Sequence, residues 1–288
     1  MIRIGTAGWT YDDWAGIVYP EKKEWGFQPL TYLAGFFDTI EINSTFYRPP
    51  AEKMSWGWVE KVRHNKDFKF TAKLWQGFTH DRDEKHAVEE KAFKDGIRPL
   101  MENGLLGALL IQFPYSYKFS PESMNYVASL LKRFMEYPLV VEVRHASFES
   151  EEFYNLLKEN AAGFCNIDQP VIGASLKPSS IVTSDVGYIR FHGRNYKNWF
   201  AAEREAALRY DYLYSSEEMK PWIDKIKKMA EETVDLFIIQ NNHFRGKGAC
   251  NALEMKSALT GKKVLVPEPL LRAFKNRLAA IASNARNG

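Results

Sequence analysis

Apolar residues keep two different spacings along this chain. Eight short runs carry them at every second position or continuously, the habit of β-strands: residues 3–6, 39–45, 68–74, 108–113, 139–145, 163–168, 187–192 and 236–241. Between most of these lie stretches with apolar residues three and four apart, the habit of amphipathic helices: 29–37, 51–62, 84–103, 121–135, 150–160, 215–231 and 246–259. Gly104 and Gly261 stand where helix ends favour a left-handed residue, and Ser215 followed by Glu218 reads as a capping box. Alternation of strand and helix argues for a parallel sheet in an α/β protein, and eight units argue for closure into a (β/α)8 barrel of TIM type. An open doubly wound sheet would usually carry a glycine-rich phosphate turn after an early strand, and neither G-x-G-x-x-G nor G-x-x-x-x-G-K-[ST] occurs.

Two connections break the rhythm. Residues 169–185 hold Pro170, Gly173 and Pro178 without a helical pattern, so the sixth unit is expected to be irregular and to lack its full helix. Residues 194–214 form a long aromatic connection with Tyr196, Trp199, Phe200, Tyr210, Tyr212 and Tyr214, as a lid or binding loop would. Residues 264–288 are rich in Lys, Arg and Ala and are expected to form a helical tail packed on the barrel. Without an internal repeat or a low-complexity linker, residues 1–288 read as one domain.

Parity then assigns an interior. If the apolar face of each strand packs on the helices, the inward set is Glu41 and Asn43, Lys73, Gln112, Glu142 and Arg144, Asn166 and Asp168, and Arg190 and His192. In the eighth strand either Gln240 and Asn242 or Asn241 face inward; parity alone leaves this open. These residues lie at C-terminal strand ends, where the active site of this fold sits. The seventh strand is the most telling, because Ile189 and Phe191 alternate with Arg190 and His192 before Gly193, Arg194 and Asn195 open a loop. Isolated buried charges cost several kcal/mol each, so the ring is either a self-satisfied ion-pair network or a binding site.

Composition narrows the classes. At 288 residues, 45% of them hydrophobic, the chain can build a large core, and a net charge of +3 excludes a strongly basic nucleic-acid coat while allowing a local basic patch. Cys165 and Cys250 are widely spaced, against a disulfide framework or a zinc knuckle. The N-terminus runs directly into a strand pattern without a signal-like apolar stretch, and no run approaches the roughly 18 apolar residues of a membrane span, so a cytoplasmic protein without a membrane partner is expected.

The same stretches carry a family resemblance. Gly5-Thr6-Ala7-Gly8-Trp9-Thr10-Tyr11 with Trp14, Glu41-Ile42-Asn43-Ser44-Thr45-Phe46-Tyr47-Arg48, Gln112-Phe113-Pro114, Glu142-Val143-Arg144-His145, the stretch 188–195, Arg209-Tyr210-Asp211-Tyr212-Leu213-Tyr214 and Asn241-Asn242 occur in order from about residue 2 to 260. In these the chain resembles the YecE-like family (domain of unknown function 72). The resemblance implies a TIM-type barrel and brings no activity with it. Ala7 stands where a serine is common and Phe148 where a tryptophan is common; neither removes a charge from the mouth.

Four chemistries fit the inward set. Lys73, Arg144, Arg190 and Arg194, with Arg48 and Arg209 from loops, could hold a carboxylate or phosphate, or pair internally with Glu41, Glu142 and Asp168. His192, oriented by Asp168, could transfer protons, with Glu41 and Glu142 as alternative bases. Glu142, Asp168 and His192, with His145 or His243, could bind a divalent metal, although the neighbouring arginines oppose this and H-E-x-x-H is absent. Mouth-side aromatics, Trp9 and Trp199 foremost, could stack on a sugar or base, or pack beneath loops. The expected protein is therefore an enzyme of hydrolase or isomerase/lyase type, without a cofactor, that acts by acid–base chemistry on a small anionic substrate such as a phosphorylated sugar, a nucleotide or, less favoured, a nucleic-acid end. Asn43, Gln112 and Asn241 would add polar contacts. The alternatives are a metal-assisted phosphodiesterase or endonuclease-like hydrolase, and a non-catalytic ligand-binding barrel.

Overall fold

Eight parallel strands pair in sequence order, and the eighth closes on the first. The computed structural model describes residues 1–82, 86–199 and 203–283. The strands are β1 (Ile2–Ala7), β2 (Thr39–Ile42), β3 (Lys69–Lys73), β4 (Leu106–Gln112), β5 (Leu139–Glu142), β6 (Gly163–Asp168), β7 (Val186–Phe191) and β8 (Asp235–Gln240). Helices α1 (Pro29–Ala34), α2 (Ser44–Tyr47), α3 (Glu52–Val62), α4 (Ala87–Glu102), α5 (Pro121–Arg133), α6 (Glu151–Glu159), α7 (Ser216–Glu232) and α8 (Lys247–Thr260) fill the connections. Two short helices, α9 (Glu268–Ala273) and α10 (Lys275–Leu278), follow as the tail.

The architecture agrees with the sequence pattern, with local differences that have causes. β2 ends early because Asn43 already has helical backbone angles and leads into α2. β5 stops at Glu142, before a short 3₁₀ turn at Ala146–Phe148. The expected start of the third helical stretch at residue 84, Phe200 of the aromatic loop, and residues 284–288 of the tail lie outside the described residues. The capping box forms at α7, where Ser215 Oγ accepts from the Glu218 amide and the Glu218 carboxylate accepts from the Ser215 amide. No helix lies between β6 and β7; residues 169–185 run across the barrel wall as an irregular strap.

Apolar residues on the outer strand faces are buried beneath the helices, among them Ile40, Ile42, Phe70, Val141, Ile189 and Phe191. Each such side chain contributes on the order of 1.5–3 kcal/mol by leaving water. Inside, the barrel is filled in layers. Arg3, Lys69 and Asp235 pair at the N-terminal end. Above them lie Phe237 and Tyr188, with ring centres 6.1 Å apart. A Cβ on Gly107 would sit 2.2 Å from the Phe237 ring, so the absence of a side chain on β4 makes room for this plug. The charged layer rests on top, at the C-terminal mouth. Among the described residues no helix is long and apolar enough to cross a membrane.

Candidate active site at the mouth of the barrel

The charged layer is organised by Arg190, which β7 points straight into the barrel and which is 1% exposed. Its Nη1 donates to Glu142 Oε2 at 2.6 Å and to Gln112 Oε1 at 3.0 Å, and its Nη2 donates to Glu41 Oε1 at 2.7 Å. Three strands besides its own are thereby tied to one guanidinium. Tyr188 supports the base of the cluster by donating to Glu41 Oε2 at 2.8 Å. Arg144 Nε donates to Glu142 Oε1 at 2.9 Å from a partly exposed position. Burial by itself would raise the Glu142 carboxyl, but the Arg190 and Arg144 guanidiniums hold it well below the usual carboxylate range.

His192 is fully buried beside this cluster. Asn241 Nδ2 lies 2.9 Å from its Nδ1, the donor–acceptor sense that leaves the ring proton on Nε2, 3.6 Å from Glu142 Oε1. Burial lowers its pKa to about 3 despite the opposing pull of Glu142, so the imidazole is neutral near pH 7. Trp199 covers it edge-on, ring centres 6.4 Å apart. His192 thus lies behind the mouth lining.

Above this layer opens a cleft of about 400 Å³, within the range of small-molecule sites. Lys73, Arg144, Arg190 and Arg209 supply its cations, and Asn43, Gln112 and Asn241 its amides. Tyr11, Phe46, Tyr47, Tyr210, His80 and His243 complete the wall, and among the described residues the lining contains no carboxylate. Lys73 is the unusual member. Its Nζ stands 3.9 Å from the Phe46 ring centre, and among the described residues no carboxylate lies within ion-pair distance of it. Burial first, and Arg190 second, lower its pKa from 10.5 to about 7. His80 packs edge-on against the same Phe46 ring, with centres 5.1 Å apart, and burial together with the Lys73 charge lowers its pKa below 6.5. His243 stacks on Tyr11 at 4.2 Å, and burial lowers it to about 4.

Parity places Glu41, Asn43, Lys73, Gln112, Glu142, Arg144, Arg190 and His192 together, and the structure resolves the eighth strand in favour of Asn241. Gln240 and Asn242 face outward, toward Met255 on α8 and toward Asn251. The sixth strand corrects the expectation. Cys165 faces the interior, its Sγ 3.8 Å from Glu142 Oε2, while Asn166 and Asp168 face outward. The cause is the missing helix. A strap without regular structure presents unpaired backbone groups, and Asn166 satisfies them: its Nδ2 donates to Ile181 O at 2.9 Å and its Oδ1 accepts from Ile181 N at 2.8 Å.

Asp168 is therefore not the orienting partner of His192. It accepts from Arg194 Nε and Nη2 at 2.8 and 2.6 Å, from Tyr214 Oη at 2.8 Å and from Trp222 Nε1 at 2.8 Å. Arg194 leaves the mouth with it, because Gly193 turns the chain at φ 86°, where a Cβ would meet Tyr212 Cβ at 2.7 Å. The trio Glu142, Asp168 and His192 is consequently split across the barrel wall and does not form one ligand set. Among the described residues no group of three or more His, Cys, Asp or Glu side chains converges as a metal site. Trp9 packs edge-on against Trp58 at 6.0 Å and lines an adjoining hollow of about 270 Å³ that shares Tyr11, Asn43 and Tyr47 with the cleft. His145 and Arg48 are not among the cleft residues. His80 escaped the strand-parity argument because it comes from the loop after β3; the signal available was its position seven residues after Lys73 in a mouth-side connection.

Comparison with known proteins agrees with this architecture. The chain is 28% identical over 274 residues to UPF0759 protein YunF of Bacillus subtilis (strain 168), covering 90% of this chain and 95% of that one. The crystal structure of a DUF72 family protein from Thermotoga maritima superposes with a TM-score of 0.78 at 34% identity, over 90% of this chain and 99% of the other. A DUF72 family protein from Enterococcus faecalis superposes with a TM-score of 0.79 at 26% identity, over 90% and 96%. Residues 3–273 match the family described as "Protein of unknown function DUF72", and the chain belongs to that family.

Proposed function

We propose that this protein is an enzyme that binds a small anionic substrate in the mouth cleft and transfers protons there. The observation that carries the reading is the lining itself: Lys73, Arg144 and Arg190 line a cavity of about 400 Å³ whose lining, among the described residues, contains no carboxylate. Arg144 and Arg190 are held rigidly by Glu142 and Glu41, so their positive field costs no reorganisation when an anion arrives. Arg190 Nε is buried without a hydrogen-bond acceptor among the described residues, which leaves one donor of the clamp unused. Asn43, Gln112 and Asn241 offer hydrogen bonds for hydroxyl or carbonyl groups.

The acid–base role belongs to Lys73, whose amine lines the cleft and titrates near neutrality. His192, Glu142 and Glu41 are positioning residues beneath it. The test is thermal stability against inorganic phosphate. A ligand that binds only the folded state stabilises it by RT ln(1 + [L]/Kd), about 2.7 kcal/mol at a hundredfold excess over Kd. The expected result is a midpoint that climbs with phosphate in the wild type and far less in Arg144→Gln. A midpoint indifferent to phosphate in both would remove the anion-binding reading.

A further inference from the structure

Lys73, to which the proposed reading gives proton transfer, carries a second capacity that proton transfer does not use: its amine is a nucleophile. Lys73 rises from the end of β3 into the cavity with an aromatic face on one side and, among the described residues, no counter-ion. The charges that act most strongly on it are those of Arg190 from β7, Glu41 from β2, and Glu142 and Arg144 at the end of β5. With Lys73 neutral, the two guanidiniums and two carboxylates of this set balance; with Lys73 protonated the set carries one surplus positive charge. The arrangement favours an uncharged amine, and an amine is nucleophilic only when uncharged. A base that merely removed protons would not need an amine at this position, and the same cleft supplies guanidiniums to hold an anionic group at a distance from the reacting centre.

We infer that Lys73 forms a Schiff base with a small aldehyde or ketone that carries a carboxylate or phosphate. This rests on the anion-binding reading above and names the substrate class for that site. The neutral Nζ attacks the carbonyl carbon, a C–N bond forms, and the former carbonyl oxygen takes up a proton. The nitrogen gives up one proton, the new hydroxyl takes up a second proton from solvent, the C–O bond breaks, and water leaves, so that amine, carbonyl compound and one proton become a protonated imine and water. The resulting protonated imine withdraws electrons from the adjacent carbon. His80, neutral near pH 7 and packed on the same Phe46 ring as Lys73, is placed to carry protons for the dehydration. Arg144 and Arg190 hold the anionic group.

The experiment is trapping with borohydride. The full-length protein is incubated separately with glyoxylate, pyruvate, dihydroxyacetone phosphate and glyceraldehyde 3-phosphate, then reduced. Hydride adds to the imine carbon and fixes a secondary amine, whose mass gain equals the carbonyl compound less one oxygen. At pH 7 an ordinary lysine amine is neutral in well under a hundredth of molecules, so labelling at Lys73 should exceed that at an exposed lysine such as Lys91 by about a hundredfold or more. Peptide mapping of the wild type should locate the adduct at Lys73, and Lys73→Arg, which keeps the cation, should lose it. Equal labelling of Lys73 and Lys91 with all four compounds overturns the inference, whether or not Lys73→Arg folds. Phosphate stabilisation separates the two claims. Stabilisation without trapping removes the Schiff base and leaves the anion site standing, trapping without stabilisation removes the anion site, and failure of both removes both.

Discussion

Glu142 and Asp168 end neighbouring strands, are both fully buried, and are both served by arginine, yet they do opposite work. Asp168 faces out from the barrel. Arg194, Tyr214 and Trp222 give its two oxygens four donors, and together they fasten the β7–α7 connection and α7 to the wall. Nothing in that cluster lines the mouth cleft. Glu142 faces in. Its two arginines turn their remaining surfaces to the cleft, and its histidine sits behind them. Among the described residues the outer cluster opens only onto a hollow of about 370 Å³ beside α7, lined by Arg194, Glu218 and Trp222, whereas the inner one opens into the mouth of the barrel. The difference teaches that pairing does not by itself separate structure from function; what matters is whether the paired groups face the mouth, where side chains from several strands converge.

The comparison breaks most visibly at Arg190. Arg190→Met would leave Glu41 and Glu142 facing each other without their common cation, at a cost of about 3–5 kcal/mol in urea unfolding. Asp168→Asn keeps some acceptor capacity, and the partly exposed Arg194 can turn to water, so the loss there should be about 1–3 kcal/mol with phosphate binding unchanged. A larger loss at Asp168 than at Arg190 would reverse the ranking of the two clusters.

Lys73 is expected to act in the opposite direction. Its pKa is depressed from 10.5 to about 7 on folding, so its favourable contribution is present above pH 10.5 and is lost as pH falls toward about 7. Lys73→Met should therefore be more stable than wild type at and below pH 7 by a few kcal/mol, with the gap closing as pH rises to 10.5. The same variant should fail to react with carbonyl compounds. A destabilised Lys73→Met at neutral pH would contradict the open character of the inner cluster.

Acid sharpens the contrast further. His192 is depressed to about 3 and Glu142 lies well below the usual carboxylate range. Both contribute stability above their unfolded values of 6.5 and 4.5, and both lose it as pH falls through that window and below. His192→Asn should flatten the decline between pH 6.5 and about 3, read from stability measured across that range. The smallest effect is expected at Arg144, which is partly exposed: Arg144→Gln should change stability by about 1 kcal/mol or less while weakening phosphate binding roughly tenfold, as isothermal titration would register.

Much of this was legible in the chain. Ile40 and Ile42 alternating with Glu41 and Asn43, and Ile189 and Phe191 alternating with Arg190 and His192, placed four functional candidates on the correct face, because each of these strands is covered by a helix that demands an apolar outer surface. The argument failed at β6, where that premise fails. No helix covers the strand, the strap's backbone needs polar partners, and so Asn166 and Asp168 turn outward while Cys165 turns in. His80, Tyr210 and His243 were beyond parity altogether, since they reach the cleft from loops.

The sequence by itself determined the eightfold alternation, the closure it implies, and the concentration of charge at the strand ends, because periodicity follows from local backbone geometry and burial. Only the tertiary structure decided how that charge is divided: Arg190 to Glu41 and Glu142, Arg194 to Asp168, and Lys73 to neither, among the described residues. Pairing depends on which side of a closed wall a side chain emerges and on distances of a few ångströms across strands far apart in the chain. No local pattern contains those distances; the barrel supplies them when it closes.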